Sequence, residues 1–245
     1  MEGEASAVKE MLRNLIQVGR QRERTELQPD VNDSPSDLPG RWTAKDQLAH
    51  VTAWRQVAAA ELEAVRTGVP DPAVSDGDDV ENARIYEATH RLPAASIIEA
   101  AERSWDQLTS ALEACSEEVL SKPRIRTRGR PEELLWQVVP DNMHHLAEHL
   151  VYWQTDAAND AGAAEAAIWA YEIATATFPD DRGRGVAAYN LGCFYAVRAR
   201  FDEAMPLLLR GLELRPDLRD WAKQDSDLEL IRARADLAGE LGLGQ

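Results

Sequence analysis

The chain reads as all-α: a four-helix bundle over residues 1–157, followed by a short helical hairpin domain over 158–245. Three observations predict this class. Apolar residues recur at helical spacing along four long segments, polar connections containing proline or glycine separate those segments, and the pattern changes character beyond Trp153.

The first helix is expected over about 5–24, where Val8, Met11, Leu12, Leu15 and Ile16 make one apolar face. A polar connection with Pro29, Asn32, Pro35 and Pro39 follows. Thr43 has the chemistry of an N-cap, and the second helix continues through Leu48, Val51, Trp54, Val57 and Leu62 to Val65, stopping near Gly68 and Pro70. An acidic loop, Asp76 to Asp79, leads to a short helix over 80–87. His90 near its end suits a helix C-terminus better than a ligand role. Pro93 precedes a third long helix over 96–114, whose apolar face holds Ile97, Ala101, Trp105, Leu108 and Leu112. The fourth is expected to begin after Pro131, with Glu132 and Glu133 in its first turn and a kink or break at Pro140.

Composition narrows the function classes. With 27 basic against 43 acidic residues the net charge is −16, so neither nucleic acid nor an anionic membrane is an expected partner. No apolar run approaches the length of a membrane span, the start Met1-Glu2-Gly3-Glu4 lacks the features of a signal peptide, and Cys115 and Cys193 lie far apart. The expected location is a reducing cytoplasm. One basic segment stands out: Lys122, Arg124, Arg126, Arg128 and Arg130 directly precede the fourth helix. It reads as a solvated loop or as an anion clamp at a pocket mouth.

The chemistry-bearing residues are histidines. His145 and His149 stand four apart on the fourth helix and so share a face, while His50 on the second helix can supply a third imidazole. Three neutral imidazoles make a workable zinc or nickel shell with a position left open; the alternative is three polar residues at bundle interfaces. Asp46 and Asp141, each one turn before a histidine, and Glu148 beside His149 are candidates to orient the imidazoles, or else members of surface pairs such as His144–Glu148. Trp42, Trp54, Trp136 and Trp153 either line an apolar pocket near the metal or belong to the core.

Two resemblances follow from these residues. Leu191, Gly192, Tyr195, Ala204 and Pro216 fall at the spacing of a tetratricopeptide repeat, and Ala167, Tyr171, Ala174 and Pro179 fit the second helix of a preceding one, whose first helix would be 148–161. The C-terminal domain therefore resembles a tetratricopeptide-like hairpin ending in a capping helix over 225–237. The runs Trp42-Thr43-Ala44-Lys45-Asp46-Gln47-Leu48-Ala49-His50 and His144-His145-Leu146-Ala147-Glu148-His149 resemble the DinB-like superfamily, in particular ClbS/DfsB-type proteins and mycothiol-dependent maleylpyruvate isomerase bundles. That resemblance covers about 5–156. It implies an antiparallel bundle, a divalent metal on His50, His145 and His149, and chemistry with a low-molecular-weight thiol. The expected function is thiol S-transfer to, or hydrolysis of, a small electrophilic substrate. The alternative is a non-enzymatic small-molecule-binding, protective protein, with the repeat segment docking a protein partner or a second copy.

Overall fold

The structure is a computed structural model that describes residues 2–36, 41–69, 78–125, 133–178 and 180–243. The chain divides into two compact units, Met1–Asn159 and Asp160–Gln245. The first is, among the described residues, a helical bundle of α1 (Glu2–Glu26), α2 (Ala44–Thr67), α4 (Ala94–Ala114) and α6 (Val138–Asp156). Two shorter helices, α3 (Asp78–Thr89) and α5 (Glu117–Leu120), lie in its connections.

Local chemistry sets the helix ends. Thr43 Oγ1 accepts from the Asp46 backbone N–H, and the Asp46 carboxylate accepts from the Thr43 N–H at 2.9 Å, a reciprocal capping box. Gly68 ends α2 with φ of 71°, the left-handed conformation glycine adopts without steric cost. The fourth long helix differs from expectation at its start. Glu133 lies ahead of α6, next to an isolated bridge between Pro123 and Leu134, and a single 3-10 turn over Leu135–Gln137 intervenes. Pro140 falls in the first turn of α6, where its missing N–H has no partner to lose, so it neither kinks nor splits the helix. Pro131 and Glu132 lie outside the described residues, as do Pro39, Pro70, Asp76, Arg126, Arg128, Arg130 and Pro179.

Cross-helix contacts give the direction of each rod. Arg13 pairs with Glu113 and Arg24 with Glu102, so α1 and α4 are antiparallel. His50 meets His145 and Gln47 meets His149, so α2 and α6 are antiparallel as well. By contrast Lys45 reaches Leu92, Arg55 reaches Ser104 and Cys115 reaches Leu62, which makes α2 and α4 parallel. Taken along the chain, the rods run up, down, down, up. Two successive parallel rods need a return connection as long as the bundle, and α3 belongs to that crossover.

Away from the polar face of α2 that carries Gln47, His50 and Glu61, the largely apolar bundle core encloses a charged cluster. Arg55 and Glu23 are both wholly buried, and they form an ion pair between α2 and α1. Arg55 also donates to Ser104 Oγ at 2.9 Å and lies 3.5 Å over the Trp105 ring, whose Nε1–H donates to Glu23 Oε1 at 2.8 Å. This cluster locks α1, α2 and α4 to one rotation.

In the second unit, α7 (Asp160–Thr177), α8 (Asp181–Ala196) and α9 (Phe201–Leu214) precede three short helices, α10 (Arg219–Ala222), α11 (Glu229–Arg232) and α12 (Ala235–Glu240). A Cβ on Gly192 would stand 2.7 Å from Leu208, and one on Gly211 would stand 2.9 Å from the Tyr189 backbone nitrogen, so glycine permits the close approach of α8 and α9. Two expectations need correction here. The helix carrying His149 does not run on to 161: it stops at Asp156, and Ala158 takes a φ of 55°, which a continuing helix does not allow. Nor is 225–237 one capping helix. The Arg232 side chain caps the carbonyls of Ala222 and Asp225, and the segment breaks into a 3-10 turn, α11 and the start of α12.

Removing one member of the buried pair strands the other as an unpaired charge. Arg55→Ala is expected to lower unfolding free energy by about 3–5 kcal/mol, with Glu23→Leu plus Arg55→Met losing less, as measured by urea titration. In the second unit, Gly211→Ala forces a methyl onto backbone and is expected to cost about 1–3 kcal/mol in the same assay.

Candidate metal centre

Three imidazoles converge between α2 and α6. The Nε2 atom of His145 lies 3.1 Å from Nε2 of His50 and 3.0 Å from Nε2 of His149. One ligand atom from each ring falls within 4.8 Å of the others. The spacing of the pair puts both α6 rings on one face, and the antiparallel run of α2 brings His50 opposite them.

A ring nitrogen carries either one hydrogen or one lone pair, so His145 Nε2 can satisfy only one of its two neighbours. Protonation does not relieve the conflict. Burial pushes the His50 imidazole down to about 4; burial and the neighbouring imidazoles push His145 to about 3 and His149 to about 2. All three are therefore neutral near pH 7. The donor set fits a divalent cation: metal–nitrogen bonds of about 2.0–2.1 Å at tetrahedral angles put nitrogens roughly 3.3 Å apart.

Gln47, one turn before His50 on the same face of α2, went unnoticed in the sequence. Its Oε1 accepts from His149 Nδ1 at 2.5 Å in a buried contact, which assigns the hydrogen to Nδ1 and leaves the Nε2 lone pair aimed at the centre. His50 Nδ1 is buried and has no such partner among the described residues.

Aromatic rings surround the cluster. Trp42 stacks on His149 with centroids 6.2 Å apart and on Tyr86 of α3 at 6.1 Å. Trp54 meets His145 edge-on at 6.3 Å, and Tyr152 meets His149 edge-on at 5.6 Å. Trp153 points elsewhere: its Nε1 donates to Asp30, and it lines a separate hollow with Arg41 and Thr43. Trp136 is half-buried in the 3-10 turn before α6.

The carboxylates singled out in the sequence hold other partners. Asp46 is engaged by Thr43 in the capping box, so it orients no imidazole. Glu148 stands 3.8 Å from His144, the surface pair. Asp141 pairs with Arg124, which also contacts Glu61 and Glu133 at 3.3 and 3.4 Å. Burial pushes the Asp141 carboxyl up, and Arg124 opposes that shift. The anion-clamp expectation therefore fails at Arg124, because three carboxylates of the protein already surround it. A cavity of about 230 Å³ lies beside this group and reaches His145, with Trp54, Asn82 and Asn142 also in its wall.

Residues 20–141 match the family described as mycothiol maleylpyruvate isomerase N-terminal domain. The bundle belongs to this DinB-like family. The match takes in His50 and ends before His145 and His149, so the α6 half of this DinB-like site stands on its geometry. Neither the curated proteins nor the solved structures gave a match.

Each buried imidazole holds its proton less tightly in the folded chain than in the unfolded one. As pH falls below about 6.5 the unfolded chain therefore takes up more protons than the folded one. Stability of the metal-free protein is expected to be complete above that value and to fall as pH drops toward about 4, the His50 value. Urea midpoints between neutral and acid pH measure the slope, and His50→Phe should flatten it.

Proposed function

We propose that the bundle is a divalent-metal-dependent enzyme of the DinB-like type, holding its ion on His50, His145 and His149 and acting on a small electrophilic molecule. The observation that carries this reading is His145 Nε2, set between two imidazole nitrogens at 3.0 and 3.1 Å and able to satisfy one. Zinc or nickel suits a shell of neutral imidazoles. When bound, such an ion lowers the pKa of a coordinated water or thiol and so supplies a nucleophile near neutral pH. The matching family's description supports a low-molecular-weight thiol as co-substrate, and thus S-transfer over hydrolysis.

The chain's own residues do the positioning. Gln47 holds His149 in the required tautomer, Trp42 and Trp54 wall the imidazoles with apolar rings, and the cavity beside His145 admits a small molecule. Residues 1–157 thus carry the chemistry. The tetratricopeptide-like spacing in 186–216 supports a docking or self-association role for 158–245. It also supports the second reading, a protective small-molecule binder without catalysis. No described helix is long and apolar enough to cross a membrane, and two buried free thiols fit the reducing cytoplasm expected from the sequence.

Mass spectrometric metal analysis of the untagged full chain tests the site. About one zinc or nickel per chain is expected, lost in His50→Ala and in His145→Ala plus His149→Ala. Gln47→Leu should weaken metal affinity about 10- to 100-fold while Gln47→Glu retains it. Metal retained by the double histidine variant would overturn the ligand set, and no metal after reconstitution would favour the non-catalytic reading.

A further inference from the structure

We propose that Trp42 and Trp54 are positioning residues of the metal centre and that α3 sets both of them, so that ion affinity depends on how α3 is seated. This deepens the reading of His50, His145 and His149 as a metal site and rests on it.

His50 is the imidazole in need of an orienting partner. A ligating histidine is ordinarily held by a hydrogen bond at the ring nitrogen that faces away from the ion. Gln47 does this for His149, whereas His50 Nδ1 is buried and has no hydrogen-bond partner among the described residues. His50 has two indole rings instead. Trp42 is tilted against it at 56° with centroids 5.0 Å apart, and Trp54 meets it edge-on at 6.4 Å. Aromatic pairs at such separations favour particular mutual orientations, so the indoles restrain the plane of the imidazole. Each indole also meets one further ligand, Trp42 the His149 ring and Trp54 the His145 ring. The two tryptophans together touch all three imidazoles.

Both tryptophans are half-buried and stand outside the core. Helix α3 grips them from positions four apart, which share one helix face. Asn82 Oδ1 accepts from Trp54 Nε1–H at 3.0 Å, and Tyr86 stacks on Trp42 with centroids 6.1 Å apart and planes 12° from parallel. Tyr86 also stacks with His90 at 5.0 Å. The His90 ring is fixed in turn: its Nδ1 donates to the Tyr86 carbonyl at 2.9 Å and its Nε2 accepts from Arg91 Nε at 3.0 Å.

The seating of α3 is weakly held, because Ile85 is its one buried side chain among the described residues. A segment with so little apolar burial lifts at low cost in free energy. Only the seated helix sets both indoles, so apparent ion affinity falls with the seated fraction. Linkage makes the effect reciprocal: a bound ion stabilises the seated helix by the same factor.

Zinc affinity of the full chain, read by competition with a chromophoric chelator, and the visible absorption of the cobalt-loaded chain test this coupling. Neither Tyr86 nor Asn82 bonds to a histidine of the cluster. Tyr86→Ala and Asn82→Ala are nevertheless each expected to weaken zinc binding about five- to tenfold and to shift the cobalt bands, in chains of unchanged circular dichroism. Trp42→Phe keeps a flat ring and should retain the affinity that Trp42→Leu loses. Amide hydrogen exchange across 78–89 should slow on zinc addition in the wild-type chain and change little at saturating zinc in Trp42→Leu. Exchange in 78–89 that zinc leaves unchanged would overturn the proposal. Zinc bound by both α3 variants as tightly as by the wild-type chain overturns this inference alone, whereas a wild-type chain that takes up no zinc overturns the metal reading and this inference with it.

Discussion

A charge with no access to water governs the bundle. The Arg55 guanidinium is wholly buried, so α1 must bring Glu23, and α4 must bring Ser104 and Trp105, to one point on α2. Such a pair contributes little net stability compared with apolar replacements, but it leaves few alternatives for how the helices rotate. His50 lies five residues before Arg55, roughly 140° around the helix. Holding Arg55 against α1 and α4 thus turns the stripe of Gln47, His50, Trp54 and Glu61 toward α6 and the crossover. The imidazole cluster depends on that rotation, since His145 and His149 alone supply one side of it.

The parts legible in the sequence were those written in local periodicity. The four rods, the Thr43 cap, the Gly68 stop and the shared face of His145 and His149 follow from spacing within single helices. What escaped depends on which helices become neighbours. Gln47 is an ordinary polar residue until α6 runs antiparallel beside it and presents His149. Asp46 lies one turn before His50 on the same helix, but Thr43 is nearer and has two orphan donors to satisfy. Arg124 read as part of a solvated loop or of an anion clamp because its neighbours in sequence are basic, whereas in space it pairs with Glu61, Glu133 and Asp141. The helix direction was hidden as well. Nothing in the periodicity of α2 and α4 says that they run parallel.

Two electrostatic regimes meet at His145. On its inner side stand neutral imidazoles, kept neutral by burial and by one another. On its outer side stand Glu61, Glu133 and Asp141 around the Arg124 guanidinium, where burial makes ionisation of Asp141 harder. The imidazole side is unfavourable for the chain alone, because His145 Nε2 faces two nitrogens and can satisfy one.

The crossover between the parallel rods has a consequence for how such a protein diversifies. Among its described residues, α3 anchors to the bundle through one buried apolar side chain, Ile85, yet it supplies Tyr86 to the stack over the histidines and Asn82 to the cavity wall. A segment that walls the histidine cluster and its cavity is therefore lightly held by core packing. Mutational drift in α3 can reshape what the site admits while the rods and their buried charge pair stay as they are, so in lineages sharing this scaffold ligand preference can change without a loss of foldability.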